Sequence, residues 1–292
     1  MCEGAPPMKT RISWILLFAL LASPTASARE EGANATSLGV SDAVRSTAVG
    51  TTALYFNPAA MHQFRQYAVE TGYQFVSPYD GHVFSVGVVD SATNEMLAAG
   101  FSYSYLMGHE LGNDIERTGH MIRGGLASGY RSQSISAHAG VGIRYLDLTV
   151  GDEGTADGLT LDAGALIVLS NMFRLAVVGH NLIQTDLSET PRQLGLGVSV
   201  LWYSLLISFD AVLDFETRET TEVQYNGGLE YAIGGQIPLR LGYQYDRLTD
   251  RQQVSGGIGY VSSVLAIDFG FSQSLHDETD NIFSLNTRVF IP

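Results

Sequence analysis

From Gln66 to the end of the chain, side-chain character alternates with a period of two. In "QYAVETGYQF", Tyr67, Val69, Thr71, Tyr73 and Phe75 interleave with Ala68, Glu70, Gly72 and Gln74. Such alternation describes a strand whose faces meet two different environments. The pattern recurs in fourteen segments, the first at 66–76 and the last at 281–291. Each is long enough to cross a hydrocarbon layer at a tilt, which takes roughly 9–11 residues.

Connection lengths separate a membrane barrel from a soluble sandwich. "SPYDGH", "GHELGNDIERT", "LTVGDEGTADG" and "LIQTDLSETP" alternate with the shorter "SATNE", "SQ", "SN" and "GGQ". Short turns on one side and longer loops on the other mark bacterial outer-membrane barrels. The apolar face keeps its parity within each strand, as in Leu194, Leu196, Val198, Val200 and Trp202. Aromatics on that face collect at strand ends, with Tyr130, Trp202, Tyr231 and Tyr260 at one level and Tyr73, Phe75, Tyr105 and Tyr245 at the other. The expected fold is therefore all-β: a 14-stranded antiparallel transmembrane β-barrel over 66–292.

The N-terminus reads as an export signal over 1–28. Lys9 and Arg11 precede the apolar "ISWILLFALLA", and Ala26-Ser27-Ala28 forms a small-residue cleavage site. Cys2 is the only cysteine, so the exported chain is expected to carry neither a disulfide nor a thiol ligand. The net charge of −14 excludes nucleic acid as a partner. A barrel of this kind has outer-membrane lipid and lipopolysaccharide as its expected surroundings.

The opposite strand face is polar and glycine-rich. It is expected to carry the lumenal charges Glu70, Arg123, Arg144, Asp162, Arg174, Asp210, Asp214, Glu222, Glu230, Arg240, Asp246, Asp268 and Arg288. Their simplest role is an ion-pair network bracing the wall. Glycine in a strand marks close approach by another chain, and residues 29–65 supply one. "GTTALYFNPAAM" is apolar, yet the outer face of the barrel is already given to lipid. Folded into the lumen as a short helical or irregular hatch, it would bury Leu54, Tyr55, Phe56 and Met61. Ser41 or Asp42 would cap a short helix through Ala48, and Pro58 would turn the chain toward the first strand.

No catalytic residue set, metal site or cofactor motif stands out, and an enzyme is not expected. The histidines lack metal-ligand spacing, and "GDEGTADG" lacks the ladder of a calcium loop.

"LGVSDAVRSTAVGTTALYFNPAAM" resembles the N-terminal signature of the FadL and PorV/PorQ superfamily of outer-membrane barrels. "LDAGALIVLSNMFRLAVVGHNL", "IPLRLGYQYDR" and "SGGIGYVSSVLAIDFGFS" resemble its strands. The resemblance implies fourteen strands, a lumenal hatch, and Asn57, Pro58 and Ala59 as the hatch motif. FadL-type members imply passive passage of small hydrophobic compounds, fatty-acid-like or aromatic, with lateral release into the membrane. PorV-type members imply a structural or docking role in secretion machinery, with envelope proteins as partners. The chain departs from the larger importers in its short, acidic outer loops, which carry Asp152, Glu153, Asp157, Asp277, Glu278 and Asp280.

Overall fold

The computed structural model describes residues 34–77, 80–109, 115–151, 154–185, 187, 189–218, 220–277 and 279–292. The expected signal peptide, the first five residues of the 29–65 segment, and Asp152, Glu153 and Glu278 lie outside the described residues.

Fourteen strands follow one another in chain order: β1 (Tyr67–Val76), β2 (Gly81–Asp90), β3 (Leu97–His109), β4 (Glu116–Arg131), β5 (Ile135–Val150), β6 (Gly154–Leu169) and β7 (Phe173–His180). The second half continues with β8 (Gln193–Trp202), β9 (Leu205–Asp214), β10 (Glu222–Ile233), β11 (Ile237–Asp246), β12 (Arg251–Val261), β13 (Leu265–Ser274) and β14 (Asn281–Phe290). Every strand pairs antiparallel with its sequence neighbours, and β1 pairs with β14 to close the barrel. Closure leaves no free edge running the height of the wall, as lipid surroundings require.

The outward residues form an apolar belt. Phe84, Phe101, Leu126, Ile143, Leu196, Phe209, Leu241 and Phe269 are all exposed. Tyr130, Trp202, Tyr231 and Tyr260 edge the belt on the short-turn side, also exposed. An apolar exterior around a polar interior places the wall in a membrane.

The strands agree with the alternation to within a few residues except at the tops of β4, β5 and β6. These continue as a tall hairpin pair to Val150 and from Gly154. There the alternation reverses, with Leu146 and Leu148 pointing inward and buried while Asp147 and Thr149 face out. Strands that rise above the hydrocarbon have no reason to present apolar side chains outward.

Residues 34–62 lie in the lumen, nearly all of them buried. Helix α1 (Ala35–Gly39) is capped by Asn34, whose side chain accepts from the Ser37 amide. Helix α2 (Thr52–Phe56) ends at Asn57, and a 3-10 helix follows over Pro58–His62. Two expectations need correction. No helix runs from Ser41 to Ala48, because Ser41 and Asp42 take φ of 51° and 61°, in the left-handed region. Pro58 starts the 3-10 helix as its first residue instead of turning the chain outward, and the chain leaves the lumen only after His62.

Candidate functional site

The plug is held in a glycine-lined seat that runs around the wall. A Cβ at Gly125 would lie 2.8 Å from Met61 Cε, at Gly140 2.5 Å from the Ala59 amide nitrogen, and at Gly270 2.5 Å from the Ala35 carbonyl oxygen. At Gly242 it would lie 2.5 Å from the Ser41 nitrogen. Only glycine lets plug backbone approach the strands this closely. Gly228 belongs to the same seat, where a Cβ would lie 2.7 Å from Val40 Cβ, and it shares its strand face with Glu222 and Glu230.

Asn57 is fully buried and ties three elements together. Its side-chain amide donates to the Arg45 carbonyl at 3.0 Å and to the Ala165 carbonyl of β6 at 3.3 Å. Its oxygen accepts from the Ala59 amide at 3.1 Å. An apolar residue here would leave two carbonyls and an amide without these partners. Pro58 and Ala59 are buried beside it, against Gly140. Leu54, Tyr55, Phe56 and Met61 are buried as expected, each worth about 1.5–3 kcal/mol of apolar transfer.

The thirteen lumenal charges all fall on the inner face, and most do more than brace the wall. Eleven are buried, while Glu222 and Glu230 are half-buried. Glu70 accepts from the Thr51 amide at 2.9 Å and its hydroxyl at 2.8 Å, and is paired to Arg288 at 2.8 Å. Arg123 donates to the Leu54 carbonyl at 3.3 Å and lies 4.4 Å from the Tyr55 ring centroid. Asp210 accepts from the Arg45 amide at 2.9 Å and faces its guanidinium at 3.3 Å. These contacts anchor the plug.

A second group serves outer connections. Arg144 donates to Asn181, Asp162 accepts from the Asn181 amide at 2.8 Å, Asp214 accepts from Thr217, and Asp246 accepts from Leu248. Glu222 accepts from Thr220. Arg240 forms a wall brace as expected, bridging Glu230 and Asp268 at 2.6 Å each, and Arg288 with Glu70 and Arg123 with Asp162 at 3.7 Å add two more. Arg174 has no hydrogen bond or ion pair among the described residues.

Above the plug the two halves of the lumen differ. Val83, Leu106, Met121, Leu146 and Leu148 line the β2–β5 side and join the plug's Leu54 and Tyr55 in one buried apolar cluster. Leu187, from the connection after β7, packs on this cluster from outside. Opposite them stand Gln244, Gln253, Ser272 and Ser284, all buried and polar.

The wall is also uneven. Pairing of β6 with β7 runs only from Ala163 to Leu169, because β7 ends at His180. Along its outer half, β6 meets the 181–192 connection. The Leu182 amide donates to the Leu161 carbonyl at 2.8 Å, and Thr160 Oγ1 to the Ile183 carbonyl at 2.9 Å. Leu182 and Ile183 are exposed on the outside. Arg117 pairs with Glu189 across the mouth. Thus described residues of one connection lie both along the β7 side of outer β6 and at the outer mouth.

A closed fourteen-stranded wall, apolar outside and filled by its own N-terminal segment, defines a plugged membrane-spanning β-barrel. Solved structures share this fold. A monoaromatic hydrocarbon channel, CymD, superposes with a TM-score of 0.67 at 13% identity, over 90% of this chain and 98% of that one. The Ralstonia pickettii toluene transporter TbuX gives 0.59 at 14% identity, over 86% and 96%. The P. putida toluene transporter TodX gives 0.58 at 11%, over 86% and 96%. No protein-family profile and no curated protein matches the chain. At these identities the likeness is one of fold.

Proposed function

We propose that this protein carries small hydrophobic compounds, aromatic or fatty-acid-like, passively across the bacterial outer membrane, as a FadL-type barrel. One observation supports this most: the lumenal wall above the plug is apolar on the β2–β5 side. Diffusion porins for water-soluble solutes have polar interiors. An apolar inner wall favours a solute that prefers to leave water.

The solute enters at the outer mouth as the connection after β7 withdraws Leu187, and replaces that side chain against the buried apolar cluster. The plug, packed onto glycines, blocks the axial route. The solute therefore leaves sideways, where the outer half of β6 has no strand partner on its β7 side. The same connection governs both steps, so opening it exposes the apolar cluster and the window together. The three hydrocarbon channels and transporters that share the fold are consistent with such cargo. No chemical step is part of the proposal.

Uptake of radiolabelled toluene and octanoate by cells producing the protein tests the reading, against cells with an empty vector. Faster uptake of at least one is expected. Equal rates for both, with a specific envelope protein recovered on the barrel, would replace transport with a docking role.

A further inference from the structure

Beneath the plug, on the short-turn side, lies a cavity of about 500 Å³. That is within the usual range for a small-molecule site. Its wall is mostly apolar, with Val44, Ala48, Leu201, Leu206, Pro238 and Val261 among the lining residues. Tyr203, Ser204 and Gly235, in the short turns, place its opening at the periplasmic end.

Five charged side chains also line it: Arg174, Arg240, Arg288, Glu230 and Asp268. Four are accounted for within the wall. Arg240 is shared by Glu230 and Asp268, and Arg288 is held by Glu70. Arg174 is not. It is 8% exposed, and its Nε and Nη1 have no hydrogen-bond partner among the described residues. Its cross-strand neighbour on β8, Ser199, is buried with its hydroxyl also unpartnered. A desolvated guanidinium without a counter-charge is costly to keep. The cost falls away when an anion sits beside it.

We propose that this chamber is a binding site for a hydrophobic monocarboxylate, with Arg174 as the counter-ion for its head and the apolar wall as the surface for its body. One unpaired guanidinium matches one carboxylate in charge and in planar, two-oxygen geometry. A phosphate dianion would bring excess negative charge into a cavity that already holds two carboxylates. The opening at the periplasmic end makes this a site of occupancy on the inner side of the plug, separate from the apolar wall above it. The proposal rests on the transport reading only for the kind of apolar body expected. Arg174 and the chamber carry the head group independently.

Calorimetric titration of the full chain in nanodiscs tests it, with 4-phenylbutanoate and its neutral counterpart 4-phenylbutan-1-ol as probes. The wild type is expected to bind the acid about tenfold more tightly or better. Arg174→Gln should erase that preference and Arg174→Lys should keep part of it, with a heat-modifiable gel shift verifying that each variant is folded. Equal affinity for acid and alcohol in the wild type overturns the proposal, as does a preference that survives Arg174→Gln. Toluene uptake by the wild type, measured in parallel, judges the transport reading alone. A barrel that fails that assay yet discriminates acid from alcohol keeps the site and loses the transport role.

Discussion

The β2–β5 side of the lumen and the side that runs from β9 through β14 to β1 hold the same plug by different means. On the first, Leu54, Met61 and Tyr55 lie mostly against glycines and inward apolar residues, with Tyr55 and Ser104 hydrogen-bonded at 2.9 Å, the Leu54 carbonyl accepting from Arg123 at 3.3 Å and His62 3.0 Å from His138. On the second, Thr51 is gripped by Glu70, Arg45 by Asp210, and Ser41 by Ser255 at 2.8 Å. Directional polar bonds fix position, because each misplacement leaves a buried group without a partner. Apolar contact is tolerant of sliding and of replacement by another apolar body. The polar half is thus the plug's anchorage, and the apolar half is the surface that a solute would share under the proposed function.

Deleting Arg29 to Met61 removes what both halves hold, and should have the largest effect. Single-channel conductance in planar bilayers is expected to rise roughly tenfold or more, since a wall of this size leaves a wide lumen. Unchanged conductance would mean the segment does not block the axial route. A sharper test makes the apolar half polar. Leu106→Gln with Leu146→Gln should cut toluene uptake several-fold, whereas Ser272→Ala on the opposite wall should cost little. Equal losses would erase the distinction between the halves.

The moving part can be fixed in place. A Cβ at Gly158 would lie 3.2 Å from Thr185 Cβ, close to the spacing a disulfide needs. In Gly158→Cys/Thr185→Cys, oxidation should suppress uptake and reduction should restore it. Uptake indifferent to the redox state would show that the 181–192 connection does not have to open.

On the anchored side, Asp210→Ala leaves Arg45 buried and unpaired, which costs about 3–5 kcal/mol. Faster amide exchange is expected over residues 43–48, with the barrel strands unaffected. The smallest effect concerns His62, where burial, assisted by Arg131 and Arg65, holds the imidazole below its usual 6.5. A depressed histidine contributes stability above that value and loses it as pH falls below it. Seating of the 3-10 helix should therefore weaken below about pH 6.5, and exchange over residues 58–62 should accelerate there. His62→Asn should flatten the response.

Much of the wall was legible because membrane strands face two solvents, and parity alone then separates Leu196 from Gly195 or Phe209 from Asp210. The same logic explains what was missed. Leu106, Leu146 and Leu148 point inward and apolar, which parity reads as the wrong face. The reversal at Tyr145–Leu146 was the available signal. The plug's position followed from its apolar content and the inward glycines, but its path did not. Nothing local announces that Ser41 and Asp42 adopt left-handed backbone, or that Arg45 is the partner of Asp210, 165 residues away. Asn57 stood out by resemblance, and only the folded chain gives the reason, three hydrogen bonds to three different segments.

The height of the wall has a further consequence. β5 and β6 have 16 residues each and β8 has 10. At about 3.3 Å per residue and a tilt of roughly 40°, six extra residues lift one side of the rim by about 15 Å. The rim is therefore a slope, high at β5 and β6 and falling to the 181–192 connection. If the proposed transport holds, the slope would lead a solute on the outer rim down toward the connection after β7, a path made by extended strands and not by long loops.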